Sequence, residues 1–224
     1  MTTELTDWLQ RELTALADPV NAIPMAAYMK TDMPFYGIKR PLRKPIERAM
    51  KKRFPPKDRD AWEAAVRGIW ALEHREEKYC ALTYARAFPA HHLPDSMPLF
   101  EDLIRQGAWW DLVDEVAVQL VGRAVQRHRE TLTPTLKAWI KDDDVWIRRT
   151  AIICQIKHKA ETDVPLLLDF CTRRADEKSF WIRKGIGWAL RELSKTDPDT
   201  VRAFLAKHGE ALSGLSRREA SKRL

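Results

Sequence analysis

The sequence predicts an all-α protein, a repeat solenoid of about six antiparallel helix pairs with a concave basic face. Three observations lead to this fold class. Apolar residues recur at helical spacing from one end of the 224 residues to the other. The chain has only eight glycines and lacks alternating runs of Val, Ile and Thr, which are typical of strands. Similar tryptophan-containing segments also recur at intervals of 35 to 36 residues.

Short segments rich in Pro, Gly and Asp separate the predicted helices, because these residues interrupt helical backbone. Examples are "DMPFYGIKRP", "RFPPKD" and "FPAHHLPD". Since the connections are short, we expect neighbouring helices to be antiparallel and residues 1–224 to form a single domain. The predicted helices cover residues 4–17, 20–30, 42–53, 58–72, 76–88, 96–106, 110–127, 131–140, 144–159, 163–174, 179–195, 198–207 and 216–223.

Three predicted helices begin with similar segments, "WWDLVDEV", "VWIRRTAI" and "FWIRKGIG". Their tryptophans Trp110, Trp146 and Trp181 lie 36 and 35 residues apart. The second and third follow the acidic segments "DDD" and "DEKS", which suit a helix N-terminus. Two helices per period of this length indicate a HEAT-like solenoid, in which equivalent helices line one face. A helical bundle with chance similarity between the segments is the alternative.

Four side chains are predicted to share one face of these helices. Counted from the shared tryptophan, Asp114 is at +4, Arg149 at +3 and Trp188 at +7. These offsets place them at roughly +40°, −60° and −20° from that tryptophan, so we expect them close together with Trp110 beside Asp114. Lys157, eleven residues after the second tryptophan, is predicted to extend the same face.

Each of these residues also has a purely structural interpretation. Trp110 and Trp188 would pack between helices, and Asp114 and Arg149 would form an ion pair between repeats. Asp111 suits the first turn of a helix because of the helix dipole. A carboxylate, a guanidinium and two indoles on one face of a basic protein nevertheless favour a functional site.

The charge balance indicates an anionic partner. The net charge is +7, the isoelectric point is near 9.4, and nine tryptophans accompany the basic residues, a combination compatible with nucleic-acid contact. No apolar run reaches the roughly 18 residues of a membrane span, and the N-terminus lacks the pattern of a signal peptide. Three widely spaced cysteines, Cys80, Cys154 and Cys171, are expected to be buried thiols in a reducing cytoplasm.

The segments "FYGIKRPLRK", "WWDLVD", "VWIRRTAI" and "IGWALRE" together resemble the AlkD-type DNA glycosylases, which are HEAT-like repeat enzymes of DNA alkylation repair. The resemblance extends from about Tyr28 to "LSRREA" at 215–220. It implies that Asp114 is the catalytic aspartate, with Arg149 beside it. Trp110 and Trp188 match the aromatic residues that contact the lesion-bearing nucleotide. Some members of the wider superfamily lack the acidic residue and do not excise bases, so its presence in "WDLVD" favours activity.

The activity that this resemblance implies is hydrolysis of the N-glycosidic bond of cationic alkylpurines in duplex DNA. N3-methyladenine, N7-methylguanine and bulky cationic adducts are the implied substrates. Asp114 would stabilise positive charge on the sugar and orient water, Trp110 and Trp188 would attract the cation, and Arg149 would bind a phosphate. The further candidates for DNA contact are Tyr28, Arg43, Lys44, Arg148, Lys157, Arg183 and Arg191.

We expect no cofactor and no metal. The adjacent His91 and His92 lie in a Pro-rich segment without further ligands at suitable spacing, and are expected in a surface turn. A monomer located in the cytoplasm with the nucleoid is expected. The alternatives are a non-catalytic repeat protein that binds distorted duplex DNA, and a protein-interaction scaffold. The basic tail "SRREASKRL" would either touch DNA or cap the solenoid.

Overall fold

The computed structural model describes residues 2–224, which are helical with no β-strand among them. This confirms the predicted fold class, an all-α repeat protein. No helix in this described range is long and apolar enough to cross a membrane. The helices are α1 (Thr2–Thr14), α2 (Pro19–Met29), α3 (Arg40–Arg53), α4 (Arg59–Trp70), α5 (Arg75–Ala87), α6 (Met97–Gly107), α7 (Trp110–Glu115), α8 (Gly122–Arg127), α9 (Arg129–Trp139), α10 (Val145–Ile153), α11 (Val164–Arg173), α12 (Phe180–Leu193), α13 (Pro198–His208) and α14 (Gly214–Ala220).

Irregular helical segments complete the chain. A π-helical segment, Val116–Val121, joins α7 to α8 without a break, as the single predicted helix over 110–127 requires. Short 3-10 turns lie at Pro89–His91, Pro94–Ser96, Lys159–Glu161 and Ser221–Arg223.

Aspartate side chains begin many of the helices. Each accepts hydrogen bonds from backbone N–H groups of the first turn, which have no partner within the helix. This capping explains why breaks such as Asp18-Pro19, "DDD" and "KTDPD" mark the helix starts. The capping aspartates are Asp18, Asp58, Asp144, Asp163 and Asp197.

One predicted helix is shorter than expected. The helix predicted over 144–159 ends at Ile153, and a tight turn follows. Two buried polar side chains of this turn have partners outside the helix. The ring Nε2 of His158 lies 2.7 Å from the carbonyl oxygen of Gly122, and Gln155 accepts a 2.8 Å hydrogen bond from a backbone N–H of the next loop. These tertiary bonds stabilise the turn at the expense of the helix, although the apolar pattern continues.

The described residues form two compact units, one that ends at His91 and one that spans His92–Leu224. The expectation of a single domain over 1–224 stays a prediction. In the second unit α10 packs against α12, and α12 packs against α14. Phe100, Val113, Ile147 and Ile186 are completely buried there and form part of its core.

In the first unit a buried carboxylate organises the "FYGIK" loop. Glu76, with no exposed surface, accepts hydrogen bonds of 2.9 to 3.0 Å from the backbone N–H groups of Tyr36, Gly37 and Ile38. Gly37 has a φ of +86°, and a Cβ atom there would lie 2.0 Å from the carbonyl oxygen of Asp18. The loop conformation therefore requires glycine and an internal acceptor for its N–H groups.

Candidate functional site

The helices of the second unit repeat with a constant interval. α7, α10 and α12 begin at Trp110, Val145 and Phe180, each 35 residues after the one before. Asp114 and Arg149 are both the fifth residue of their helices. Equivalent positions on packed helices thus carry an acid and a base, and the structure brings the two together.

Asp114 and Arg149 form a two-point ion pair. The Nε of Arg149 donates to Oδ1 of Asp114 at 2.7 Å, and its Nη2 donates to Oδ2 at 2.8 Å. The Arg149 side chain is only 3% exposed, whereas the Asp114 side chain is 18% exposed. The pair therefore presents its carboxylate side to solvent and keeps its guanidinium inside the protein.

The remaining terminal nitrogen of Arg149 is also engaged. Its Nη1 donates to the backbone carbonyl of Trp181 at 2.6 Å, and its Cζ lies 6.0 Å from the centre of the Trp181 ring. Gly185 leaves room for this group, since a Cβ there would lie 3.3 Å from Nη1. Three of the five N–H donors of Arg149 are thus used within the protein, and its side chain is almost completely buried, so the phosphate contact stays a prediction.

The shared tryptophan position must be corrected by one residue. The indole that packs with Trp146 and Trp181 belongs to Trp109, with ring centroids 6.1 and 5.3 Å away. Trp146 and Trp181 are themselves 5.0 Å apart. Trp110 is the first residue of its helix, whereas the other two tryptophans are second residues. The side chain of Trp110 therefore leaves its helix in a different direction. Trp110 and Trp188 are both half-buried.

Two arginines predicted to contact DNA are tied to the protein itself. Arg148 forms an ion pair with Glu177 through both Nε and Nη2, and its Nη1 donates to the carbonyl of Asp142 at 2.7 Å. The Nε of Arg183 donates to the backbone carbonyl of Glu177 at 2.8 Å. These contacts link the loops around α10 and α12, and the DNA contacts of both arginines stay predictions.

Lys157 is exposed, but it lies beyond the end of α10. The angular offset predicted for it on a continuous helix is therefore wrong.

The candidates in the first unit differ in exposure. Arg43 is buried, with Nε 2.7 Å from Glu47 and Cζ 4.7 Å from the Tyr79 ring centre, so it does not offer a free guanidinium to DNA. Tyr28 is 76% exposed and Lys44 is exposed, so both are accessible to a partner.

The 35-residue interval also reveals two residues that the sequence reasoning missed. It passes from Asp114 through Arg149 to Lys184 and then to Glu219. The Nζ of Lys184 lies 2.8 Å from Oε1 of Glu219. Residues at the same interval thus form a second acid–base pair, although Lys184 is the fifth residue of α12 and Glu219 the sixth of α14. Extension of the tryptophan spacing to other residue types would have found this pair.

Glu219 is surrounded by cations. Besides Lys184, Arg191 places Nη1 2.6 Å from Oε2 of Glu219, and Lys222 donates to the same carboxylate. The hydrogen bonds from Lys184 and Lys222 lower the pKa of Glu219 to about 2, because they stabilise its charged form. Arg191, predicted to bind phosphate, is thus anchored to α14.

The three cysteines are buried, as predicted, and burial raises the pKa of Cys154 and Cys171 to about 12, which leaves little thiolate. Within residues 2–224 no three His, Cys, Asp or Glu side chains are grouped as potential metal ligands. The predicted surface turn is wrong for His92, which is completely buried beside Phe100.

Comparisons with known proteins point to one family. The sequence model of the family described as "DNA alkylation repair enzyme" matches residues 9–224. A solved structure described as "Predicted DNA alkylation repair enzyme from Enterococcus faecalis" is 30% identical, with a TM-score of 0.85 over 93% of this chain and 96% of that chain. The smu.31 protein from Streptococcus mutans UA159 is 16% identical, with a TM-score of 0.62 over 80% of this chain and 91% of its own, and shows similarity of fold alone. The search of curated proteins finds no match.

Proposed function

We propose that this chain, which belongs to the family of DNA alkylation repair enzymes, is a DNA glycosylase that hydrolyses the N-glycosidic bond of cationic alkylpurines in duplex DNA. The observation that carries the proposal is the ion pair of Asp114 and Arg149. It combines a partly exposed carboxylate with a buried guanidinium that holds it in one orientation. This difference in burial distinguishes the pair from Arg148 and Glu177, whose side chains are 14% and 15% exposed.

The geometry leaves Asp114 able to accept a further hydrogen bond. A carboxylate offers about four lone-pair positions, and Arg149 occupies one on each oxygen. The other positions remain for a water molecule or for a deoxyribose on which positive charge develops. Because both bonds from Arg149 are charge-assisted and lie in one plane, they restrict rotation of the carboxylate. We therefore assign Arg149 a positioning role.

The proposed reaction needs only one acid. Water attacks C1′ of the deoxyribose, and the electron pair of the bond between C1′ and the base nitrogen leaves with the base, which neutralises its positive charge. Asp114 stabilises the positive charge that develops on the sugar and accepts the proton of the attacking water. The leaving group carries its own charge, so a second acid to protonate the base is not required.

The two half-buried indoles extend the proposed site. The face of an indole attracts cations, with a gain of roughly 0.5 to 2 kcal/mol that depends on desolvation. Trp110 and Trp188 would favour the cationic nucleotide and the sugar cation in this way. Bulky cationic adducts are included among the proposed substrates, since selection by charge does not depend on the size of the base.

Further contacts with the duplex are assigned to accessible groups. Tyr28, Lys44 and Lys157 are exposed, and the net charge of +7 favours a polyanion. We propose that the protein works as a monomer on chromosomal DNA, in the cytoplasm with the nucleoid.

The substitution Asp114→Asn tests the proposed chemistry. Wild-type protein and the variant are incubated with methylated duplex DNA, and free N7-methylguanine and N3-methyladenine are measured by chromatography. We expect release to fall by about 100-fold or more, as for loss of a general base, while duplex affinity measured by fluorescence anisotropy is largely retained. Asp111→Asn, in the first turn of the same helix, is the matched control and should release bases at the wild-type rate.

Release by Asp114→Asn at the wild-type rate would remove this residue from the mechanism. Absence of release from the wild-type protein, with tight binding of distorted duplex, would favour the non-catalytic DNA-binding function instead.

A further inference from the structure

The C-terminal helix α14 is seated closely on α12. A Cβ atom at Gly187 of α12 would lie 2.5 Å from the Cβ of Glu219, so the two backbones approach as only glycine allows. Ser213 caps the start of α14, and the hydroxyl of Ser216 donates to the carbonyl of Arg183 at 2.9 Å. This contact places the Glu219 carboxylate, which is 6% exposed, against α12.

Three cations converge on that one carboxylate. Lys184, Arg191 and Lys222 each contact Glu219, yet their side chains are 38%, 24% and 52% exposed. The four groups together carry a formal charge of +2. The nearby Glu192 pairs with Lys195 at 2.6 Å through Oε2, and its Oε1 lies 4.0 Å from Nε of Arg191. The excess remains, because the four cations and two acids of this larger group still carry a formal charge of +2.

The arrangement exceeds what a buried acid requires. One cation is enough to balance a carboxylate, and additional cations at the same position repel one another. An ammonium has three N–H donors and a guanidinium has five, so contact with Glu219 leaves donors of all three cations directed elsewhere. A phosphate, with its negative charge and several acceptor oxygens, fits this surplus of charge and donors.

The position of the cluster connects it to the proposed substrate site. Lys184, Trp188 and Arg191 are spaced at i, i+4 and i+7, so they share one face of α12. An anion bound by Lys184 and Arg191 would therefore lie along the face that carries Trp188.

We infer that Glu219 assembles Lys184, Arg191 and Lys222 into a site for a backbone phosphate of duplex DNA, on the face of α12 that carries Trp188. The C-terminal helix is then part of the substrate site, and the basic tail both caps the repeat and contacts DNA. The choice of DNA as the source of the phosphate rests on the proposed function. Glu219 acts as a positioning residue, since it touches the cations and not the DNA.

The test compares DNA affinity after removal of one negative charge at two different positions. Glu219→Gln and Glu192→Gln each remove one negative charge from the α12 region, so simple attraction predicts tighter DNA binding by both. We expect only the Glu192→Gln control to bind an unmethylated duplex as tightly as the wild type or more tightly. Glu219→Gln should bind more weakly. In a plot of log affinity against log salt concentration, the magnitude of its slope should be smaller by about 0.9, the value for one phosphate.

A second pair of variants tests the inference even if Glu219→Gln does not fold. Lys222→Ala changes a half-exposed side chain, and Lys207→Ala changes an exposed lysine of α13. Circular dichroism and thermal melting report whether each variant is folded. The inference predicts that Lys222→Ala lowers the salt slope and that Lys207→Ala does not.

If Glu219→Gln is folded and binds at least as tightly as Glu192→Gln, with an unchanged salt slope, then Glu219 is a structural acid and the inference is wrong. If Glu219→Gln unfolds, an unchanged slope for Lys222→Ala overturns the inference in the same way. Because binding is measured on unmethylated DNA, the result does not depend on base release, and failure of the glycosylase proposal is recognised separately.

Discussion

At the scale of single residues, the proposed chemistry depends on how Arg149 holds Asp114. A guanidinium is a rigid fork, and here it spans both carboxylate oxygens and the Trp181 carbonyl at once. A lysine ammonium in the same place is a single point of charge on a flexible stem. It preserves the positive charge but cannot make two parallel bonds to one carboxylate.

Arg149→Lys therefore keeps the positive charge beside Asp114 but removes the two parallel hydrogen bonds that orient the carboxylate. We expect kcat for base release to fall roughly tenfold to a hundredfold, as for a small misplacement of a reacting group, with little change in KM. The melting temperature should fall as well, because the substitution leaves the Trp181 carbonyl without its donor. Arg173→Lys, in an exposed pair with Asp169, is the control and should change neither quantity. Equal kcat for Arg149→Lys and wild type would show that orientation of Asp114 is unimportant.

At the scale of helices, the contact between α12 and α14 depends on a missing side chain. A methyl group at Gly187 would meet the Glu219 Cβ at 2.5 Å and the Ser216 carbonyl oxygen at 2.9 Å. Both neighbours belong to α14, and one of them is backbone. The helix as a whole must therefore move to accept any larger residue.

Gly187→Ala should lower stability by about 1 to 3 kcal/mol through overpacking, even though alanine is the better helix former. The same displacement should weaken duplex binding, since it moves Glu219 away from its cations. Gly68→Ala is a suitable control because its new methyl group meets only side-chain methyl groups, at 2.5 Å from Thr2 and 3.6 Å from Thr6, and no backbone atom. Denaturant unfolding and anisotropy measure the two effects, and wild-type stability in Gly187→Ala would contradict the described contact.

At the scale of the whole molecule, the charge predicts how DNA binding responds to salt. A protein that neutralises several phosphates releases counterions, so its affinity falls as salt rises. With a net charge of +7, we expect duplex affinity to fall at least about a hundredfold between roughly 50 and 200 mM salt, as for about four phosphate contacts. Anisotropy titrations at several salt concentrations measure the slope. Weak binding that is independent of salt would favour the protein-interaction scaffold.

Much of the fold could be predicted because helices are encoded locally. The i, i+3, i+4 spacing of apolar residues and the capping aspartates such as Asp144 and Asp163 set the helix type and starts within a few residues. The end of α10 could not be predicted in this way. It depends on partners of Gln155 and His158 that are distant in the sequence or lie in another element.

The sequence by itself determined the helical class, the basic charge, the repeat near 35 residues and the proximity of Asp114 to Arg149, because each follows from composition or from spacing along helices. Only the tertiary structure decided which side chains are accessible. It placed Trp109 rather than Trp110 with the other repeat tryptophans, buried the guanidinium of Arg149, and gathered three cations around Glu219. The physical reason is that burial and pairing depend on neighbours from other repeats, which a local pattern does not specify.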